Sequence, residues 1–121
     1  MQSVAKRRIA AMMLIGGLAM TTAPAWADDV TGEVIDMSCY LAHPNTSTGG
    51  SHRKCAETCA KKGLPMGLLT EDKQVYLLLE DHENPKVYAE ALEQAAKTIT
   101  VEGRKVTQGG VNGIVVESVK Q

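Results

Sequence analysis

The sequence predicts a mainly β domain with two helices, and three observations support this fold class. Runs in which apolar and polar residues alternate, as they do in half-buried strands, occur repeatedly after residue 28. Turn-forming residues, chiefly Gly, Pro and Asn, separate these runs. Two stretches, residues 51–62 and 85–97, instead have features typical of helices.

Residues 1–27 predict a secretory signal peptide, which has to be set aside before the fold is considered. Lys6-Arg7-Arg8 forms a basic start, an apolar run covers residues 9–20, and Ala25-Trp26-Ala27 is typical of a cleavage site. The apolar run is short for a membrane span. We therefore expect a bacterial protein that is periplasmic or secreted, with residues 28–121 as a single domain and no membrane span after cleavage.

The composition of residues 28–121 excludes some partners. Cleavage would leave ten Lys and Arg residues against fourteen Asp and Glu residues, a formal net charge of −4. The chain has no Phe, and its one Trp belongs to the predicted signal peptide. Nucleic-acid binding depends on basic patches or stacking aromatic residues, so we expect no nucleic-acid partner. A domain of this size buries a modest core, and a disulfide or a metal ion would help to stabilise it.

The first strand is predicted over residues 30–41, because apolar and polar residues alternate along this stretch. If the face that carries Ile35 points inward, Cys39 lies at the edge of the core. Residues 43–50 then predict a loop, since they contain Pro44 and two consecutive glycines.

A short helix is predicted next, over residues 51–62. Ser51 is a suitable N-cap, and Gly63 suits the position just beyond the C-terminus, with Pro65 two residues later. This helix carries two of the three cysteines of the chain.

The rest of the chain predicts a hairpin, a second helix and a final pair of strands. Asn84-Pro85 suits the start of the second helix. Gly103 is a candidate bend or bulge in the strand that follows it. The apolar stripe of the second helix consists of Val87, Tyr88, Ala91, Leu92 and Ala95. The predicted strands cover residues 64–70, 74–80, 98–105 and 112–120.

The order of these elements indicates a known architecture. If the cysteine-bearing helix is treated as an insertion between strands 1 and 2, the order is β-β-β-α-β-β. This is the order of the OB-fold, a five-stranded Greek-key barrel. The sequence therefore predicts an OB-like five-stranded barrel with a Cys-bearing helix inserted between strands 1 and 2.

Four motifs also carry a resemblance to known proteins. They are Gly-Glu-Val-Ile-Asp-Met-Ser-Cys-Tyr at residues 32–40, Cys-x-x-x-Cys at 55–59, Gly-Leu-Pro-Met-Gly at 63–67 and the late Gly-Gly turn. The chain is similar in these motifs to a group of small exported bacterial proteins with an OB-like barrel and a Cys-x-x-x-Cys helix insertion. The resemblance covers most of residues 30–119 and implies the fold and an exported location. The group has no settled activity, so the resemblance assigns no functional residue.

The odd number of cysteines in an oxidising compartment allows two accounts. In the first, Cys39 forms a disulfide with Cys55 or Cys59, and the remaining thiol stays free. A disulfide between Cys55 and Cys59 is disfavoured, because their Cβ vectors run parallel on one helix face. This account predicts a disulfide-stapled, non-enzymatic binding or interaction module in the periplasm.

In the second account the cysteines bind a metal ion, and this is the leading prediction. His52, Cys55 and Cys59 are spaced to project from one helix face, and Cys39 could supply a third sulfur. Three thiolates with one histidine would suit zinc, whereas two or three soft sulfur ligands would favour Cu(I). We therefore predict a periplasmic metal-binding protein in copper or zinc handling. The predicted ligands are Cys39, Cys55, Cys59 and His52, with His43, Met37 and Met66 as additional candidates.

No catalytic constellation is found in the sequence. It lacks Cys-x-x-Cys, Cys-x-x-Cys-His, a Gly-rich phosphate loop and Gly-x-Ser-x-Gly. Asp36, Glu57, Glu80, Asp81 and Glu83 are interpreted as solvated charges, and His82 as a surface residue. We therefore expect no enzymatic activity, and a metal ion and another periplasmic protein as the partners.

Overall fold

Residues 27–121 are described by a computed structural model. The predicted signal peptide, apart from Ala27, lies outside the described residues. Within residues 27–121, none of the helices has the length and apolar character that crossing a membrane requires.

Five strands form a closed ring in the order β1-β2-β3-β5-β4, and β4 pairs with β1 to complete it. Every neighbouring pair is antiparallel except β3 and β5, which are parallel. The mainly β class and the five strands are therefore confirmed. The strands are Asp28–Asp36 (β1), Met66–Leu69 (β2), Val75–Leu79 (β3), Thr98–Gln108 (β4) and Val111–Lys120 (β5).

The two long strands, β4 and β5, bend at an irregularity between Glu102 and Gly103. Before this point β4 pairs with both β1 and β5, and beyond Gly103 it pairs with β5 alone. A Cβ at Gly103 would collide with the carbonyl oxygen of Val115. The bend or bulge that the sequence predicts at Gly103 coincides with this irregularity, and the Val115 carbonyl leaves no room for a side chain there.

The core fills the interior of the ring. Val30 and Val34 point into it from β1, and α3 (Pro85–Leu92) covers it with Ala91 and the following Ala95. Val87, Tyr88, Ala91 and Leu92 of the predicted stripe lie on α3 and pack against the core, but the prediction that the helix continues to residue 97 is wrong, because α3 ends at Leu92 and Ala95 lies in the turns that follow. Ile35 is also buried but does not belong to this cluster, so the inward face of β1 is the face of Val34. The cluster consists of Val30, Val34, Ala56, Met66, Leu68, Leu78, Ala91, Ala95, Ile99, Val101, Ile114 and Val116.

A helix that the sequence does not predict, α1 (Met37–Ala42), follows β1 directly. The prediction that the first strand continues to residue 41 is therefore wrong beyond Asp36. The Asp36 carboxylate ends the strand because its Oδ1 accepts a hydrogen bond from the Cys39 backbone N–H at 3.1 Å, as an N-cap does. A helix of six residues is too short to display a helical period, so its sequence imitates strand alternation.

The cysteine-bearing helix, α2 (Arg53–Lys61), begins two residues later than predicted. Gly49 has a φ of 75°, and a 3-10 turn over Gly50–His52 follows it. Ser51 lies inside that turn, so its assignment as N-cap is wrong, and His52 occupies the capping position without a side-chain hydrogen bond. Gly63, with a φ of 73°, follows the end of the helix as predicted.

Candidate metal centre

Four side chains bring their ligand atoms within 4.8 Å of one another at the end of β1. Asp36 is the last residue of β1, and Cys39 lies in the first turn of α1. His52 ends the 3-10 turn, and Cys55 lies in the first turn of α2. The site therefore forms where the end of β1 and the start of α1 meet the 3-10 turn and the start of α2.

Two of the distances between ligand atoms are close to those of a metal-bound tetrahedral site. The Sγ atoms of Cys39 and Cys55 are 3.8 Å apart. Two sulfur ligands at a normal zinc distance would be about 3.8 Å apart, because both bonds are about 2.3 Å and meet at the tetrahedral angle. His52 Nε2 and Asp36 Oδ2 are 3.6 Å apart, slightly more than the corresponding nitrogen–oxygen edge, which would be about 3.3–3.5 Å. Loading the site would therefore require only small inward movements of the side chains.

Asp36 is fully buried, with 0% of its surface exposed, so its interpretation as a solvated charge is wrong. Its position explains this, because it continues the inward-facing series of Val30 and Val34 along β1. Asp36 Oδ1 caps α1, whereas Asp36 Oδ2 and the buried His52 Nε2 have no hydrogen-bond partner among residues 27–121. Their separation of 3.6 Å is too long for a hydrogen bond.

The charge at Asp36 is maintained by its neighbours. Burial alone would raise the pKa of the Asp36 carboxyl, but the polar groups of Cys39, Cys59 and His52 around it together hold that pKa below its usual value. The buried carboxylate is therefore the negative centre around which the other side chains are arranged.

The same carboxylate keeps the nearby thiols protonated in the absence of a cation. Hydrogen bonding to Asp36, followed by burial, raises the pKa of the Cys39 thiol to about 12. Burial, followed by the contact with Asp36, raises the pKa of the Cys59 thiol to about 11. A metal ion would reverse this preference, because its charge stabilises thiolates and the carboxylate together.

Hydrogen bonds hold the loop between α1 and the 3-10 turn against the neighbouring elements. The hydroxyl of the buried Ser47 donates to the carbonyl oxygens of His43 at 2.7 Å and of Cys39 at 3.1 Å. The Gly49 N–H donates to a Glu33 carboxylate oxygen at 2.6 Å. These contacts tie the loop to α1 and to β1, so they fix the segment that leads from Cys39 toward His52.

The other predicted ligands lie at different places around this group. Cys59 is half-buried, packs against the core and adds a third thiol beside Asp36 and Cys55, although it is outside the four-residue group. His43 is exposed, and its backbone rather than its imidazole makes the local contacts. Met66 is fully buried in the core, and Met37 packs its sulfur against Gly67.

Cys39, His52 and Cys55 are thus brought together, and Asp36 is the member of the group that sequence reasoning missed. An aspartate directly before a short run that can form a helix was the available signal, since Asp is a preferred N-cap. Comparisons with protein-family models, with curated proteins and with solved structures find no match for this chain.

Proposed function

We propose that this chain is a periplasmic metal-binding protein in copper or zinc handling. Asp36, Cys39, His52 and Cys55 are the proposed ligands, and an OB-like barrel is the scaffold that holds them. One observation carries the proposal: a buried carboxylate oxygen and a buried imidazole nitrogen face each other without hydrogen-bond partners in residues 27–121, beside two thiols in contact.

A cation explains this arrangement better than a purely structural role does. Each unsatisfied buried polar group costs roughly 1–3 kcal/mol. Apolar residues in place of Asp36 and His52 would avoid that cost. The chain instead has both polar side chains, beside two sulfur atoms. A metal ion at their centre would satisfy Asp36 Oδ2 and His52 Nε2 at once and would turn the Cys39–Cys55 contact into part of its shell.

The donor set narrows the choice of metal. Two thiolates, one imidazole and one carboxylate are all ordinary zinc ligands in a tetrahedral site. Cu(I) prefers sulfur and would draw on Cys59 in place of Asp36, because a carboxylate is a hard ligand. We propose zinc for the group of four and Cu(I) for the three sulfurs.

The test has two parts. Elemental analysis of protein purified from the periplasm without an affinity tag should find zinc or copper at about one ion per chain. Titration of the reduced, metal-free protein with Zn²⁺ should then give a Kd that rises at least about 100-fold in Cys55→Ser and His52→Asn, because each removes one ligand of four.

Matched variants control for nonspecific effects. Cys59→Ser changes the same residue type one helical turn away, and His43→Asn changes an exposed histidine of the inserted loop. Both should retain the zinc affinity of the unaltered protein within about threefold, since neither belongs to the group of four. Equal zinc affinity in all five proteins, or no measurable binding in any, would contradict the proposal.

The location and scaffold of the protein belong to the same proposal. The signal peptide predicted at residues 1–27 and the resemblance to small exported OB-like proteins support export. Cell fractionation should find a processed chain that begins at residue 28 in the periplasm or medium. Recovery of the full-length chain from the cytoplasm would contradict this part of the proposal.

A permanently stapled interaction module is the second candidate function. The contact between Cys39 Sγ and Cys55 Sγ at 3.8 Å favours it, because these are the sulfurs that such a staple would join. Intact mass with and without alkylation separates the candidates. One free thiol and no metal would support the module, whereas three free thiols with bound metal would support the metal-binding protein.

A further inference from the structure

We infer that Cys39 and Cys55 are also a redox-active pair, whose reversible disulfide and whose bound metal exclude each other. The inference deepens the proposed metal site, and only its metal-dependent half rests on that proposal. It assigns to the site a second class of reactant, a disulfide-bearing oxidant, either a small molecule or a protein.

The geometry singles out this pair among the three cysteines. The Sγ atoms of Cys39 and Cys55 are 3.8 Å apart and belong to different helices, α1 and α2. A disulfide requires about 2.05 Å, so the sulfurs must approach each other by less than about 2 Å. Cys55 and Cys59 instead lie one turn apart on the same helix, where their Cβ vectors run parallel and oppose a bond.

Exposure sets the order of the chemical steps. Cys55 is exposed, whereas Cys39 is half-buried behind it. The Cys55 thiolate attacks one sulfur of the oxidant, which forms a mixed disulfide and releases the first oxidant thiolate. Cys39 then gives up its proton, for which the neighbouring Asp36 carboxylate is the nearest acceptor, and its sulfur attacks the Cys55 sulfur, which forms the internal disulfide and releases the second oxidant thiolate. Two electrons pass from the protein to the oxidant, and the two thiol protons pass to the released thiolates through solvent.

The disulfide and the metal compete because they use the same two sulfurs. An internal disulfide would leave Asp36 and His52 as the remaining members of the group of four. A disulfide sulfur carries no charge, so it is a poor ligand compared with a thiolate. Conversely, bound metal would hold both thiolates in its shell and away from an oxidant. Oxidation would therefore release the metal, and reduction would restore the site.

The experiment treats the full metal-free chain with oxidised glutathione and maps the products by peptide mass after alkylation. The Cys39–Cys55 disulfide should be the main product in the unaltered protein, and it should still form in Cys59→Ser, whereas His43→Asn should form it at the rate of the unaltered protein. Cys39→Ser and Cys55→Ser should not form an internal disulfide efficiently. A predominant Cys55–Cys59 or Cys39–Cys59 bond, or mixed disulfides alone, would overturn the inference.

A second arm adds one equivalent of Zn²⁺ before the oxidant. Disulfide formation should slow at least tenfold, and the zinc affinity of the oxidised protein should fall at least 100-fold. If zinc binds but the oxidation rate does not change, the inference of exclusion fails while the proposed function stands. If the disulfide forms but no metal binds under any condition, the proposed function fails and the redox pair stands.

Discussion

Replacing Asp36 by Asn should separate two roles of this side chain, the capping of α1 and the proposed binding of a metal ion. Asn is as good an N-cap as Asp, so it can keep the hydrogen bond from the Cys39 N–H. It also removes a buried charge and places an amide opposite His52 Nε2. We therefore expect the free energy of unfolding of the metal-free variant to lie within about 1 kcal/mol of that of the unaltered protein.

The metal-bound form should respond differently. Asn supplies no anionic oxygen to the ion, and a 100-fold rise in the zinc Kd would be about 2.7 kcal/mol. Bound zinc adds to the free energy of unfolding of the folded protein, and at saturating zinc the variant should gain about 2.7 kcal/mol less from it. For a domain of 60–100 residues, 1 kcal/mol corresponds to a Tm change of roughly 4–8 °C. The zinc-dependent rise in Tm should therefore shrink by about 10–20 °C.

The assay is thermal unfolding of the reduced protein with and without zinc, together with a zinc titration. Asp28→Asn is the matched control, because Asp28 is an exposed residue at the opposite end of the same strand. It should leave both the zinc affinity and the Tm unchanged. An Asp36→Asn variant that binds zinc as tightly as the unaltered protein would refute the assignment of Asp36 as a ligand.

Three further predictions concern stability. In the metal-free protein, the pKa values of Cys39 and Cys59 are raised from 9.0 to about 12 and about 11, so the unfolded state loses these protons first. The contribution of these two thiols to the free energy of unfolding should therefore be constant from neutral pH to about pH 8 and fall from about pH 9 upward in urea titrations. A Cys39→Ser/Cys59→Ser variant should lack most of that fall. Gly103→Ala should destabilise the fold by about 3 kcal/mol in the same assay, because its Cβ would meet a β5 carbonyl, whereas Gly50→Ala, with no atom within 4 Å, should be nearly neutral. A disulfide between Cys39 and Cys55 should raise the free energy of unfolding of the metal-free protein by about 3 kcal/mol, the loop-closure value for about 15 residues. Equal urea midpoints with and without reductant, in a protein shown to be oxidised, would contradict this prediction.

Local patterns in the sequence were sufficient for most of the scaffold. Strand alternation and the helical stripe are properties of neighbouring residues, so the presence of five strands and the start of the helix at Pro85 follow from them, whereas the end of β1 does not. Gly103 marks the irregularity in β4 because a side chain there would meet the Val115 carbonyl. Gly63 marks the end of α2 because its φ of 73° favours glycine. The presence of Cys55 and Cys59 on one helix was likewise a matter of spacing alone.

The tertiary structure decided which groups form the site. Sequence spacing pointed to Cys59 as a companion of His52 and Cys55, but α2 turns Cys59 toward the core and leaves it outside the group of four. Asp36 joins the group because β1 closes a ring whose interior receives every second residue of that strand. Its burial therefore depends on strand pairings far apart in the chain, which no local pattern contains. The four-residue group forms because that buried carboxylate and the first turn of α2 meet at one point.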